Sequence, residues 1–213
     1  MTELLPRYSA PEEWANSLTH GIGSVLAITG LVVLLIVTIP TSDPWQVVSA
    51  SIYGTTLVFM FLASTLYHSI QPPAIRQILR QVDHLAILYL IAGSYTPFTL
   101  ISLRGAWGWS LFGVVWGLTL VGTVLQLSPA RKVKALMVTL YLLMGWAVLF
   151  AIKPLIANMA PGGLMLLFSG GLAYSVGIVF YINKRIPFNH AIWHLFVLAG
   201  AILHYFAILF YVF

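Results

Sequence analysis

Gly30-Leu31-Val32-Val33-Leu34-Leu35-Ile36-Val37 runs through the chain without a single polar side chain. Strands of a membrane β-barrel alternate lipid-facing and lumen-facing residues, whereas this run is apolar on every side and reads as helix. Extended outward to about 17–39, it reaches the roughly 20 residues that cross about 30 Å of hydrocarbon. Six further runs do the same, at about 46–69, 84–102, 107–127, 134–152, 162–182 and 190–212. The chain is therefore expected to be an all-α integral membrane protein, a seven-transmembrane helix bundle forming a single domain over 1–213. Almost nothing is left for a soluble domain.

The composition agrees. Of the 213 residues, 60% are hydrophobic and 7% charged, far from the balance of a soluble globular chain. Ten of the eleven prolines (Pro6, Pro11, Pro40, Pro44, Pro72, Pro73, Pro129, Pro154, Pro161 and Pro187) fall outside the proposed spans, where a missing N–H does no harm. Pro97 alone lies inside one. It is expected to kink the third helix after Ser94-Tyr95-Thr96 and to free carbonyls that need a local polar partner. Glu3, Glu12 and Glu13 precede the first span with no basic segment leading it, so that span is expected to stay as an anchor rather than be removed as a signal. There is no cysteine, which excludes disulfides and leaves nitrogen and oxygen as the ligands of any metal.

Basic residues set the expected orientation. Arg7, Arg76, Arg80, Arg131, Lys132, Lys134, Lys184 and Arg185 lie on one side of the seven runs, and only Arg104 and Lys153 on the other. This asymmetry predicts a cytoplasmic N-terminus and an outside C-terminus, in the cell (plasma or inner) membrane. The net charge of +5 then reflects membrane topology, and no nucleic-acid motif accompanies it. Between the second and third runs, Ile75, Ile78, Leu79 and Val82 recur at helical spacing among Arg76, Gln77, Arg80 and Gln81. The pattern predicts a short helix, either lying on the inner leaflet or packed as an amphipathic cover on the bundle.

In this orientation the second run ends inside at His68, the third begins inside at Asp83, and the seventh begins inside at His190 and His194. All four reach one face. An odd number of crossings between any pair would have set them a membrane apart. Titratable groups at membrane depth are costly and mark function. His190 and His194, four residues apart, share a helix face and can reach one ion, and Ser64 and His68 repeat that spacing on the second run. Three neutral imidazoles with one open position form the pattern of a catalytic zinc, with Asp83 as a base or an orienting group. Plainer alternatives remain: the histidines as hydrogen-bonding glue between helices, Ser64 as a packing residue, and Asp83 as a helix cap or a partner of an inner-face arginine.

Three other features are weaker. His84 points about 100° around the helix from Asp83 and suits an interfacial or capping role. His204 lies roughly 15 Å beyond His194 by helix rise, too far to share its ion, and is expected to hydrogen-bond inside the bundle. Glu13, Asn16 and His20 form a polar stripe at the inner end of the first run, expected to wall or cap the site rather than to ligate the metal directly.

The matching stretches Glu12-Glu13-Trp-Ala-Asn16-Ser-Leu-Thr19-His20-Gly21-Ile-Gly23, Ser64-Thr-Leu-Tyr-His68, Asp83-His84, Gly93-Ser94-Tyr95-Thr96-Pro97 and His190-Ala-Ile-Trp-His194-Leu-Phe resemble the hemolysin III branch of the progestin and adipoQ receptor family. The resemblance covers nearly the whole chain. It implies a seven-helix receptor-like bundle with its N-terminus inside. In the wider group, with the adiponectin receptors and alkaline ceramidases, a serine, an aspartate and three histidines form an intramembrane zinc site. By motif these become Ser64, Asp83, His68, His190 and His194, and the implied activity is hydrolysis of ceramide-like lipid amides by zinc-bound water.

Three functions compete. The first is a zinc-dependent hydrolase of membrane lipid amides, serving lipid homeostasis, with lipid amide or fatty acid as ligand. The second is a non-catalytic sensor of membrane lipid state whose zinc is structural. The third is a cytolytic, hemolysin-like pore, which would need a polar lining through the whole thickness. No nucleotide-binding loop is present, so ATP-driven transport by this chain alone is not supported.

Overall fold

The computed structural model describes residues 8–213; Glu3, Pro6 and Arg7, used above, lie outside the described residues. Helix α1 (Ala10–Thr38) opens with a capping box in which the Ser9 N–H donates to the Glu12 carboxylate at 2.8 Å, satisfying backbone donors that a helix start leaves bare. Asp43 caps α2 (Pro44–Ser69) through the Trp45 N–H at 2.9 Å. The remaining helices are α3 (Pro73–Pro97), α4 (Ala106–Leu127), α5 (Lys134–Gly145), α6 (Ile152–Asn158), α7 (Pro161–Ile182) and α8 (Asn189–Tyr211). Seven helical segments are long and apolar enough to cross a membrane, with α5 and α6 together making the fifth. This is a multi-pass membrane protein.

Pro11, Pro44, Pro73 and Pro161 sit in the first turns of α1, α2, α3 and α7. They are helix starters rather than residues outside the helices, because a first-turn N–H has no intrahelical partner to lose. The segment Ile75–Val82 also departs from expectation: it is the opening of α3 itself, continuous to Pro97, not a separate helix. Nothing in it breaks a helix, so the backbone hydrogen bonds continue through it.

Pro97 behaves as predicted. The α-helix ends there and a π-helical turn, Phe98–Ser102, follows. The Thr99 hydroxyl donates to the carbonyls of Tyr95 at 3.0 Å and Thr96 at 3.1 Å, the local polar partners such a break requires. The fifth span is interrupted as well. Its 3-10 segment Ala147–Ala151 separates α5 from α6, and Pro154 lies inside α6. Tyr95 repairs the gap by donating its hydroxyl to the Gly145 carbonyl at 2.8 Å and accepting from the Val148 N–H at 2.9 Å.

Helix α1 packs on α2 and α8, α2 on α3, α3 on α4, and α7 on α8. Against α8, helix α7 buries only Gly163, Gly170 and Gly177. A Cβ at Gly170 would stand 2.3 Å from the His204 ring and 3.1 Å from the Gly200 carbonyl, so the close approach depends on small residues, as in other membrane helix pairs. Outward-facing Trp14, Phe150 and Met165 stay largely exposed, which is where lipid takes the place of water.

Candidate metal centre

The C-terminal turns of α2 and the first turns of α8 meet at one end of the bundle, with the start of α1 wrapped against both. His68, His190 and His194 are all buried there, and each offers a ring nitrogen within 4.8 Å of the others. These three residues, chosen from the sequence by spacing and topology, form an arrangement that could hold a metal ion.

Hydrogen bonds decide which nitrogens face inward. The Nδ1–H of His68 donates to Oε2 of Glu13 at 2.7 Å, and the Nδ1–H of His194 donates to the Asn16 carbonyl at 3.1 Å. Carboxylates and carbonyls only accept, so in the neutral rings of His68 and His194 Nε2 is the bare atom, free to ligate. The Nε2 atoms of His68 and His190 stand 3.2 Å apart. Two nitrogens on one tetrahedral ion, each about 2.05 Å from it, would be separated by about 3.3 Å. The donor set fits a metal. A direct bond from the Nε2–H of His190 to His68 would satisfy the same contact, and in either arrangement Nδ1 of His190 is buried without a protein partner.

Other buried polar atoms without a partner gather close by: both side-chain heteroatoms of Asn16, both ring nitrogens of His20, and Oγ of Ser64. Buried groups of this kind are normally satisfied by protein, water or a ligand. His20 stacks on His194 with ring centroids 3.5 Å apart and planes 13° apart. The stripe Glu13, Asn16 and His20 thus walls the site, through a carboxylate, a carbonyl and a ring face. Tyr8, just ahead of α1, covers it from the end, its ring 5.2 Å from His190 and 5.9 Å from His68. Burial, with Tyr181 next, pushes the Tyr8 phenol well above its ordinary value.

A cavity of about 140 Å³ opens beside the histidines. Ser64, Asp83, His20, His190 and His194 line one end, and it continues past Ser94 and Trp146 to His204. Asp83 lies on the cavity wall rather than in the histidine triad, with its Oδ2 4.0 Å from Nδ1 of His84. His84 lines the cavity too, and its Nδ1–H donates to the Arg80 carbonyl at 2.6 Å. His204 stands apart from the triad, its Nε2–H donating to the Leu167 carbonyl at 3.0 Å inside the bundle.

The sequence profile described as "Haemolysin-III related" matches residues 8–205. The chain belongs to the haemolysin-III-related family. It is 43% identical over 214 residues to "Hemolysin-3" of Bacillus cereus, covering 100% of this chain and 98% of that one. It is 46% identical over 204 residues to the "Hemolysin-3 homolog" of Bacillus subtilis (strain 168), covering 96% of each. A human relative, "Monocyte to macrophage differentiation factor", is 33% identical over 205 residues, 92% of this chain and 83% of its own length. This haemolysin-III-related chain therefore shares its full span with its bacterial relatives, and the histidine end of the bundle lies within the matched region.

The bonds of Glu13 to His68 and of the Asn16 carbonyl to His194 were not foreseen in the sequence. The spacing of the polar stripe showed that these residues share a face. It could not say which neighbour that face meets.

Proposed function

We propose that the chain is an intramembrane zinc-dependent hydrolase of membrane lipid amides, oriented with its N-terminus in the cytoplasm of the cell membrane. The observation that carries the proposal is the convergence of three buried imidazoles, each with a ring nitrogen within 4.8 Å of the others, beside a cavity lined by Ser64 and Asp83. His68, His190 and His194 would hold the ion. When bound there, zinc would supply a Lewis acid and lower the pKa of a bound water to about 7.

The chain's own residues do the rest. Ser64, buried with no partner of its own, donates a hydrogen bond to the amide oxygen of the substrate. Asp83 takes the proton from the attacking water and gives it to the departing amine as the C–N bond breaks, leaving a fatty acid and a free amine. The mainly apolar cavity wall suits an acyl chain. The test is metal content together with release of fatty acid from a ceramide-like amide in mixed micelles. Stoichiometric zinc and turnover that disappears in His194→Ala are expected; protein purified gently yet free of metal sinks the reading.

One observation favours a second reading. The hydrogen bonds of His68 and His194 tie α1, α2 and α8 together, so an ion here could serve as the clasp of a lipid-state sensor. In that case removing the metal loosens the bundle and no lipid turnover exists to be lost. The pore reading is weaker, because the buried glutamate and histidines among the described residues gather at one end of the bundle instead of lining its whole length.

A further inference from the structure

Glu13 is the one buried carboxylate among the described residues, and each of its oxygens is used by a different helix. Oε2 accepts from Nδ1–H of His68 on α2, and Oε1 pairs with the Arg76 guanidinium on α3. Arg76 is itself steadied by a hydrogen bond to Oε1 of Gln71 at 3.1 Å and by the Tyr67 ring 5.4 Å away. A buried carboxylate without a countercharge is costly, and Arg76 supplies that charge. The neighbouring acid, Glu12, is committed to the Ser9 cap.

We infer that Glu13 is a positioning residue of the metal centre: its carboxylate fixes His68 with the proton on Nδ1 and the bare Nε2 toward the ion, and Arg76 holds that carboxylate in place. The inference rests on the metal-centre reading above. An imidazole with nothing at Nδ1 divides its proton between both nitrogens and turns freely about its bond, and a ring protonated at Nε2 cannot ligate through that atom. A carboxylate behind a ligating histidine also raises the basicity of the ring, and losing such a partner costs about 10- to 100-fold in metal affinity.

The experiment uses the full chain in detergent with two readouts: Zn2+ affinity by chelator competition, with Co2+ absorption as the spectroscopic probe, and the His68 tautomer by 15N NMR of metal-free protein. Glu13→Ala should weaken Zn2+ binding by about 10- to 100-fold, shift the Co2+ spectrum, and move the His68 proton off Nδ1. Glu13→Gln, whose amide oxygen can still accept from Nδ1–H, should keep the tautomer and lose less affinity. Glu12→Ala should change neither readout. In a His68→Ala background, Glu13→Ala should cost nothing further, which separates action through His68 from general loosening. Wild-type affinity and an unchanged Co2+ spectrum in Glu13→Ala overturn the inference, as does an equal loss in the His68→Ala background. Should Glu13→Ala fail to fold, Glu13→Leu, which keeps the bulk but cannot accept from Nδ1–H, carries the same comparison. If the wild type binds no metal, the metal reading falls, while the tautomer measurement still decides whether Glu13 holds His68.

Discussion

Helices α3 and α7 are both apolar enough to cross a membrane, yet they live in different surroundings. In its most apolar stretch 61% of the α3 span is buried inside the protein, against 17% for α7. The enclosed helix carries Asp83 on the cavity wall and the Tyr95 hydroxyl that repairs the broken fifth span. The peripheral one contributes mainly small-residue contact, through Gly163, Gly170 and Gly177. Polar chemistry is affordable only where protein replaces lipid, so the helices that surround the histidines are also the ones most shielded from hydrocarbon.

That contrast can be broken at several points. His194→Ala removes one imidazole of the triad from the enclosed side and, on the proposed reading, should reduce Zn2+ affinity by more than about 100-fold, beyond what loss of an outer partner costs; chelator competition measures it, and affinity that survives contradicts the triad. Asp83→Asn should abolish lipid-amide release while metal content, read by elemental analysis, stays stoichiometric. Loss of both together would make Asp83 part of the ion's hold instead. On the peripheral side, Gly170→Leu forces a side chain into the His204 ring and the Gly200 carbonyl. It should destabilise the bundle by about 1–3 kcal/mol, seen in unfolding by denaturing detergent, with metal affinity little altered. The smallest effect is expected from His204→Leu, which removes one bond to the Leu167 carbonyl and should cost about 0.6 kcal/mol, the mean for interhelical hydrogen bonds in a membrane. A larger loss, or a change in turnover, would tie His204 to the work of the cavity.

Much of this contrast was legible in the chain. The seven spans follow from hydropathy because crossing hydrocarbon demands long apolar runs. The meeting of His68, His190 and His194 followed from counting crossings and from i, i+4 spacing. The helix starts were harder to read, since α1 and α3 extend past the hydrocarbon, where capping and backbone bonding set their ends. The break between α5 and α6 escaped notice because its repair comes from Tyr95, fifty residues away in sequence. Glu13 showed its face but not its partner, for the same reason: local spacing carries no information on which distant helix lies opposite.

The bond between the Asn16 carbonyl and His194 joins residues 178 positions apart. During synthesis the first hairpin, α1 with α2, is in place long before the last helix is made, because chains emerge N-terminus first. One imidazole of the triad therefore waits at the surface of an unfinished bundle for its two companions. If the triad holds an ion, as proposed, its capture would be a late event in biogenesis, a sign that the final helix has arrived in register.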